Sequence, residues 1–232
     1  MSQNAWCTNM EKLTAIVMRV VREARDVRTI YFLLNEGWRL EYEAGQYITV
    51  FIAGSTTPAG KAYSLSSAPH EKWMSITVKN IGEFSGYLCG LKAGDLFTIS
   101  RAYGFFNPHT TRPLVALAGG VGISPILSVL KDEFNHDTTR LAHLFYSNKT
   151  LGTVAHKNAL SGTTCAVTNY ITAGKNIPTD MQRGRIALDE CVHEGAFYMI
   201  CGSVQFVRDM WQGLAMRGVQ PGDITTETFF ES

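Results

Sequence analysis

Seven consecutive residues, Lys61-Ala62-Tyr63-Ser64-Leu65-Ser66-Ser67, pack a cation, an aromatic ring and three serine hydroxyls into one short stretch. In an extended strand, Lys61, Tyr63 and Leu65 point one way and Ala62, Ser64 and Ser66 the other. One face then offers a ring to lie along a flat ligand and a charge for its phosphate. The other offers hydroxyls to ligand heteroatoms. A Ser-rich edge strand with a surface lysine is the plainer alternative. Next come Thr77-Val78-Lys79 and Gly82-Glu83-Phe84-Ser85-Gly86-Tyr87-Leu88. Here a strand ends, a glycine allows a turn and a helix begins with Ser85 in its first turn. Free backbone N–H groups and the positive end of the helix dipole suit such a start to phosphate, although an ordinary hydroxyl-capped helix reads the same way.

Three further segments follow. Gly119-Gly120-Val121-Gly122-Ile123-Ser124-Pro125-Ile126 lies directly after an apolar run. Glycine lets backbone approach a pyrophosphate closely, and a helix start after Pro125 would face it. The spacing is not Gly-x-Gly-x-x-Gly, so that fingerprint is absent. A glycine-rich turn in any α/β protein is the alternative. Tyr198-Met199-Ile200-Cys201-Gly202-Ser203 is again a strand running into a glycine turn, and Cys201 reads equally as a buried structural thiol. Thr226-Glu227-Thr228-Phe229-Phe230 sets a carboxylate and two aromatics near the chain end, where a terminal packing strand is the alternative.

The elements that must position these residues change character along the chain. Residues 12–22, 27–34, 46–52, 73–79 and 96–101 read as short strands separated by Gly and Pro turns, with one helical stretch at 84–90. This predicts a small barrel or sandwich. After Thr111-Arg112-Pro113, strands at 114–118, 141–146, 164–170 and 196–201 alternate with helical stretches, of which 124–134 and 204–217 carry helical apolar spacing. Residues 224–228 add a terminal strand. Alternation of this kind predicts a doubly wound parallel sheet, and the boundary falls near 107–112.

The 232 residues are 45% hydrophobic and 18% charged, enough apolar content for ordinary cores. Net charge is +1 and the basic residues are scattered, which argues against nucleic acid as a partner. Cysteines at 7, 89, 165, 191 and 201 are odd in number and widely spaced. They predict free thiols and no zinc or iron–sulfur loop, so no metal is expected. The first ten residues are polar and no run of eighteen apolar residues follows. No membrane span and a cytoplasmic location are therefore expected.

Taken together and in this order, the five segments resemble the ferredoxin–NADP reductase superfamily, from about Thr14 to Phe230. The resemblance implies a six-stranded antiparallel flavin-binding β-barrel over residues 1–110 and an α/β doubly wound nucleotide-binding domain over 111–232. Lys61, Tyr63 and Ser64 match the family's Arg-x-Tyr-Ser strand, with Ala62 between them. Thr77, Val78 and Lys79 match the strand passing near the flavin. Gly82, Phe84 and Ser85 fall in its Gly-x-x-Ser-x-x-Leu helix start, which takes flavin phosphates. Gly120, Gly122, Ile123 and Ser124 match the turn that receives the nicotinamide cofactor, and Ser147, Asn148 and Lys149 the loop meeting its adenosine ribose. Cys201 and Gly202 match the pair beside the nicotinamide, and Glu227 and Phe229 the C-terminal Glu-x-Phe.

The resemblance thus implies FAD and NADH or NADPH as cofactors, with Ser64, Cys201 and Glu227 in catalytic roles. The implied activity passes hydride from NAD(P)H to FAD and then electrons to a separate acceptor, a ferredoxin, a flavodoxin, an oxygenase component or a small molecule. Lys61 stands where the family has Arg, a point charge in place of a planar fork. That keeps open a reductase for which flavin or ferric iron is a diffusible substrate. A non-catalytic electron-transfer subunit of a larger complex is a third reading. Lys149 stands where many relatives carry Arg, and no acidic residue in that loop favours a bare ribose.

Overall fold

The computed structural model describes residues 11–136 and 139–229. Cys7 and Phe230 lie outside the described residues. Strands β1 (Leu13–Arg22), β2 (Val27–Leu34), β3 (Tyr47–Phe51), β4 (Lys61–Ser64), β5 (Met74–Lys79) and β6 (Leu96–Tyr103) form one antiparallel sheet. Its order is β4-β3-β6-β1-β2-β5. The sheet curls until its two outer strands meet at a single bridge, Leu65–Ile76, which closes the barrel at one point. Ala15, Val17, Ile30, Phe32, Ile48, Val50, Ile76 and Ile99 fill the interior. Helix α1 (Glu83–Gly90) contributes Phe84 and Leu88 to the same core.

Strand β5 is buried almost throughout, unlike a usual edge strand. Met74, Ile76 and Val78 face the barrel core, whereas Ser75 and Thr77 alternate to the opposite face and are buried too. Only a second layer can bury that outer face, and the rest of the chain supplies it.

Strands β7 (Leu114–Gly119), β8 (Ala142–Asn148), β9 (Ala166–Ile171), β10 (Met181–Arg183), β11 (Phe197–Ser203) and β12 (Ile224–Phe229) form a parallel sheet in the order β10-β9-β8-β7-β11-β12. Helix α2 (Ile123–His136) packs on the face carrying Ala116, Ala118 and Leu144. Helix α3 (Val204–Ala215) packs on the opposite face with Val115, Leu117 and Ile200. The sheet is therefore wound on both sides, and its order reverses between β7 and β11, the place where open α/β sheets bind ligands.

Two expectations need correction. Helices were expected between all the parallel strands, but β8 and β9 are joined by a 3-10 turn (Leu151–Thr153) and loop, and β9 and β11 by the unforeseen β10 and a second 3-10 turn (Leu188–Glu190). Gly152, Ser161, Gly162, Thr163 and Thr164 in the first connection, and Gly174, Pro178 and Gly184 in the second, are poor helix formers. Helix α2 does not start after Pro125. A 3-10 turn (Gly120–Gly122) runs straight into it at Ile123, so Pro125 sits in the first turn, where a missing N–H is tolerated.

Candidate flavin and nicotinamide site

Beyond the Leu65–Ile76 bridge, β4 and β5 splay apart. Each ladders only with its inner neighbour, β3 and β2 respectively. Two strand edges, one at Lys61–Ser64 and one at residues 77–79, thus face each other across a gap. Helix α1 begins beside the second edge. Its N-cap, Gly82, has extended backbone, and a Cβ built there would meet no atom within 4 Å.

Side chains wall this gap as alternation demands. Lys61 and Tyr63 both reach Phe84: the Tyr63 and Phe84 rings stack with centroids 6.4 Å apart, and the Lys61 ammonium lies 5.7 Å from the Phe84 centroid. Burial pushes the Tyr63 hydroxyl up to about 12, so it stays protonated. Ala62 is exposed, and Ser64 turns the other way and is buried. Ser85 is committed locally: its hydroxyl accepts from Ile81 N (3.0 Å) and Gly82 N (3.1 Å) and donates to Gly82 O (3.1 Å). Val78 points into the barrel core and offers a ligand only backbone, and Lys79 is half-buried.

In the α/β half the motif residues turn inward. Gly120 has φ +55°, a left-handed conformation suited to glycine, with open space beside it. A Cβ on Gly122 would fall 2.3 Å from the Cys201 carbonyl oxygen, so this glycine lets the turn touch β11. Ile123 is core, and Ser124 is buried with its hydroxyl donating to Val121 O (2.8 Å). Asn148 is buried at the end of β8, while Ser147 is half-buried and Lys149 exposed. Gly202 is buried on β11, directly after Cys201.

The halves meet at Ser64, whose hydroxyl donates to the Glu227 carboxylate. Register places Cys201 between Ala118 on β7 and Glu227 on β12. Burial raises the Glu227 carboxyl above its ordinary value and the Ser64 hydrogen bond opposes this, while burial, reinforced by Glu227, holds the Cys201 thiol protonated. Phe229 is half-buried and packs against the cluster that joins Ala44 and Phe106 to the parallel sheet.

Residues 14–107 match the family model described as an oxidoreductase FAD-binding domain. A flavohemoprotein of Bacillus cereus is 28% identical over 92% of this chain, which spans 60% of that protein. Reductase component 1 of terephthalate 1,2-dioxygenase from Comamonas is 28% identical over 96% of this chain and 69% of its own length. Among solved structures, the FAD/NAD-binding domain of nitric oxide dioxygenase from Vibrio cholerae superposes with a TM-score of 0.84 at 22% identity, covering 94% of this chain and 98% of that one. A ferredoxin NADP+ reductase from Neisseria gonorrhoeae with bound FAD and NADP gives 0.81 at 21% identity, covering 96% and 100%. Residues 14–107 thus carry an FAD-binding domain of the oxidoreductase type, and the whole chain shares the fold of these solved structures.

The residues present suit the flavin that the matched domain is described as binding. The split between β4 and β5 leaves backbone groups on two facing edges for a planar ring, the open space at Gly82 lies where a Cβ would intrude, and a helix start supplies N–H groups for phosphate. Ser64 and Glu227 meet directly, and Cys201 stands beside Glu227 in register. Thr77 does not present its hydroxyl to the gap. That hydroxyl lies 2.8 Å from His156 Nε2, 3.1 Å from Thr29 Oγ1 and 3.1 Å from Ser66 Oγ.

His156 was missed by sequence reasoning. It sits in the second half yet lodges in the barrel, with its backbone N donating to Glu23 Oε2 (3.2 Å). A lone histidine in a loop, 127 residues from Thr29, carries no sequence signal of that seat. Ser128 was missed for the same reason: its hydroxyl donates to Ser67 O (2.6 Å) and accepts from Gly45 N (3.2 Å), tying α2 to the barrel.

Proposed function

We propose that this chain is an NAD(P)H-dependent flavoprotein reductase. Residues 1–110 hold FAD, residues 111–232 receive the nicotinamide dinucleotide, and electrons leave for a separate acceptor such as a ferredoxin, a flavodoxin or an oxygenase component. The observation that carries this reading is the Ser64–Glu227 contact with Cys201 in register beside it, because it gathers groups from both halves at one point. A flavin there supplies the acceptance of hydride and the release of electrons one at a time. Tyr63 and Phe84 form an aromatic wall, and Lys61 and the start of α1 supply positive potential for phosphate. Ser64 and Glu227 hold a proton between the halves. Cys201, uncharged and buried, shapes the nicotinamide end, and the backbone of 120–124 meets the pyrophosphate. Ser147, Asn148 and Lys149 stand at the C-terminal end of β8, where the adenosine ribose is expected.

The similarity to a dioxygenase reductase component supports an oxygenase-type acceptor. Among the described residues no helix is long and apolar enough to cross a membrane. Denaturing the purified protein should release FAD, and anaerobic mixing with NADH or NADPH should bleach the flavin band and rank the two dinucleotides. Absence of any flavin affinity overturns the reading. Lys61, a point charge at the phosphate position, supports a second reading in which flavin is a diffusible substrate. Flavin lost completely on gel filtration, with turnover restored by added flavin, selects it.

A further inference from the structure

Resting on this reductase reading, the geometry points to a second proton route from the site: Ser66, Thr77, His156 and Glu23 form a polar run from the closed end of the β4–β5 gap to an interdomain cavity. The redox chemistry requires an exit of this kind. NAD(P)H gives up two electrons and one proton as it becomes NAD(P)+. An acceptor that takes electrons alone leaves that proton behind, and it must reach solvent.

Two links, Ser66–Thr77 and Thr77–His156, are hydrogen bonds, and a longer ion-pair contact leads from His156 to Glu23. Ser66 lies two residues after Ser64 and just past the Leu65 bridge, on the same strand face. Thr77 Oγ1 donates to Ser66 Oγ at 3.1 Å and lies 2.8 Å from His156 Nε2. Thr29 Oγ1 supports the joint, 3.1 Å from Thr77 Oγ1 and 3.3 Å from His156 Nε2. On the far side of the ring, Nδ1 is 3.7 Å from Glu23 Oε1. Glu23 and His156 then line a cavity of about 450 Å³ with Tyr31, Glu71, Lys131 and Lys157. Hydroxyls reverse by rotating about one bond, so the run works in either direction. Imidazole suits the middle position because it can take a proton on one nitrogen and release it from the other.

The surroundings keep that ring neutral at rest. Burial, aided by Lys131 on α2, holds the imidazole below its ordinary value. Glu23 in the β1–β2 turn and Glu71 in the loop before β5 pull the other way, so the charged form remains reachable. A residue that merely pinned the halves together would not need this environment. The pinning is already supplied by backbone, through His156 N to Glu23 and Arg25 N to Gly152 O (3.1 Å). His156 accepts φ +54° to enter its seat, a conformation unusual for a non-glycine residue. His156 is thus a positioning residue for protons, acting through Thr77 and Ser66.

The test uses the flavin-loaded protein reduced with one equivalent of NAD(P)H and then mixed with ferricyanide in weak buffer. An indicator dye follows proton release while absorbance follows flavin reoxidation. In the wild type the two keep pace. In His156→Ala, proton release lags by about tenfold, a modest share of the usual acid–base contribution because Ser64–Glu227 remains. Added imidazole, which fits the emptied seat and cavity, restores it. The flavin midpoint potential against pH gives a second readout. It should show an inflection that vanishes in His156→Gln and moves to lower pH in Glu23→Gln, since the lost carboxylate no longer favours imidazolium. Proton release in His156→Ala as fast as wild type, or potential profiles unchanged in His156→Gln and Glu23→Gln, overturns the proposal. If the histidine variants fail to fold, an unmoved inflection in Glu23→Gln does so alone. A wild-type protein that binds no flavin, or is not reduced by NAD(P)H, sinks the reductase reading instead.

Discussion

On the barrel, Lys61 and Tyr63 hold side chains along the gap and reach the buried Phe84 ring. In the α/β half, Ile123, Ser124 and Cys201 turn theirs inward, Gly122 has none, and backbone is left at the surface of the crevice. Both sets form recognisable motifs, but for different reasons. The barrel motif is a set of chemical groups aimed at a ligand. The α/β motif is largely a packing solution that lets a turn lie against a neighbouring strand. Substitutions should therefore fail differently: in the α/β half through folding, and in the barrel through affinity and proton handling.

The largest expected effect tests the packing side. Gly122→Val would push carbon against the Cys201 carbonyl, a backbone atom that cannot swing away, and should destabilise the protein by about 3 kcal/mol or more. Chemical denaturation measures it. A Gly122→Val protein of wild-type stability that had lost only dinucleotide binding would break the contrast. Next is Ser64→Ala, which removes the partner of a partly buried carboxylate and should cost about 2 kcal/mol at neutral pH. The loss should shrink as Glu227 is protonated in acid.

Glu227 itself gives a smaller effect with a defined sign. Its carboxyl is raised above the ordinary 4.5 in the folded chain. The native state therefore holds the proton where the unfolded state has released it. The stability this contributes is fully present below the unfolded value and is lost as pH rises through the folded one. Glu227→Gln should flatten that decline, seen as a wild-type minus variant difference in denaturation midpoints across the acid range. An identical slope in both proteins would show that the carboxyl is not perturbed. The smallest change is Lys61→Arg, which replaces a point charge with a bidentate fork. FAD dissociation should weaken by about fivefold, roughly 1 kcal/mol, with stability unaltered. No change in flavin affinity would place the phosphates away from β4.

Strand and helix positions were legible wherever local pattern decides them. The apolar run at 114–118 could be little but a buried parallel strand, and Ile126, Leu127, Leu130 and Phe134 announced the α2 stripe. The connections after β8 and β9 were misread because alternation was extended to segments whose Gly, Ser, Thr and Pro content resists helix. Ser64, Cys201 and Glu227 were legible as members of motifs. Their meeting was not, since β12 reaches Ser64 only after the halves dock. His156 and Ser128 carry no local signature, because their partners Thr29, Thr77 and Ser67 lie far away in sequence.

The gap between β4 and β5 has a consequence for the chain during synthesis. Two strand edges are templates on which another copy can add a strand, and Lys61 and Lys79 are the only charged residues within those two strands. A bound flavin would cover both edges at once. The yield of monomer should then follow the supply of flavin in the cell, and protein made in flavin-starved cultures should self-associate through this seam, with the vitamin acting in effect as a folding factor.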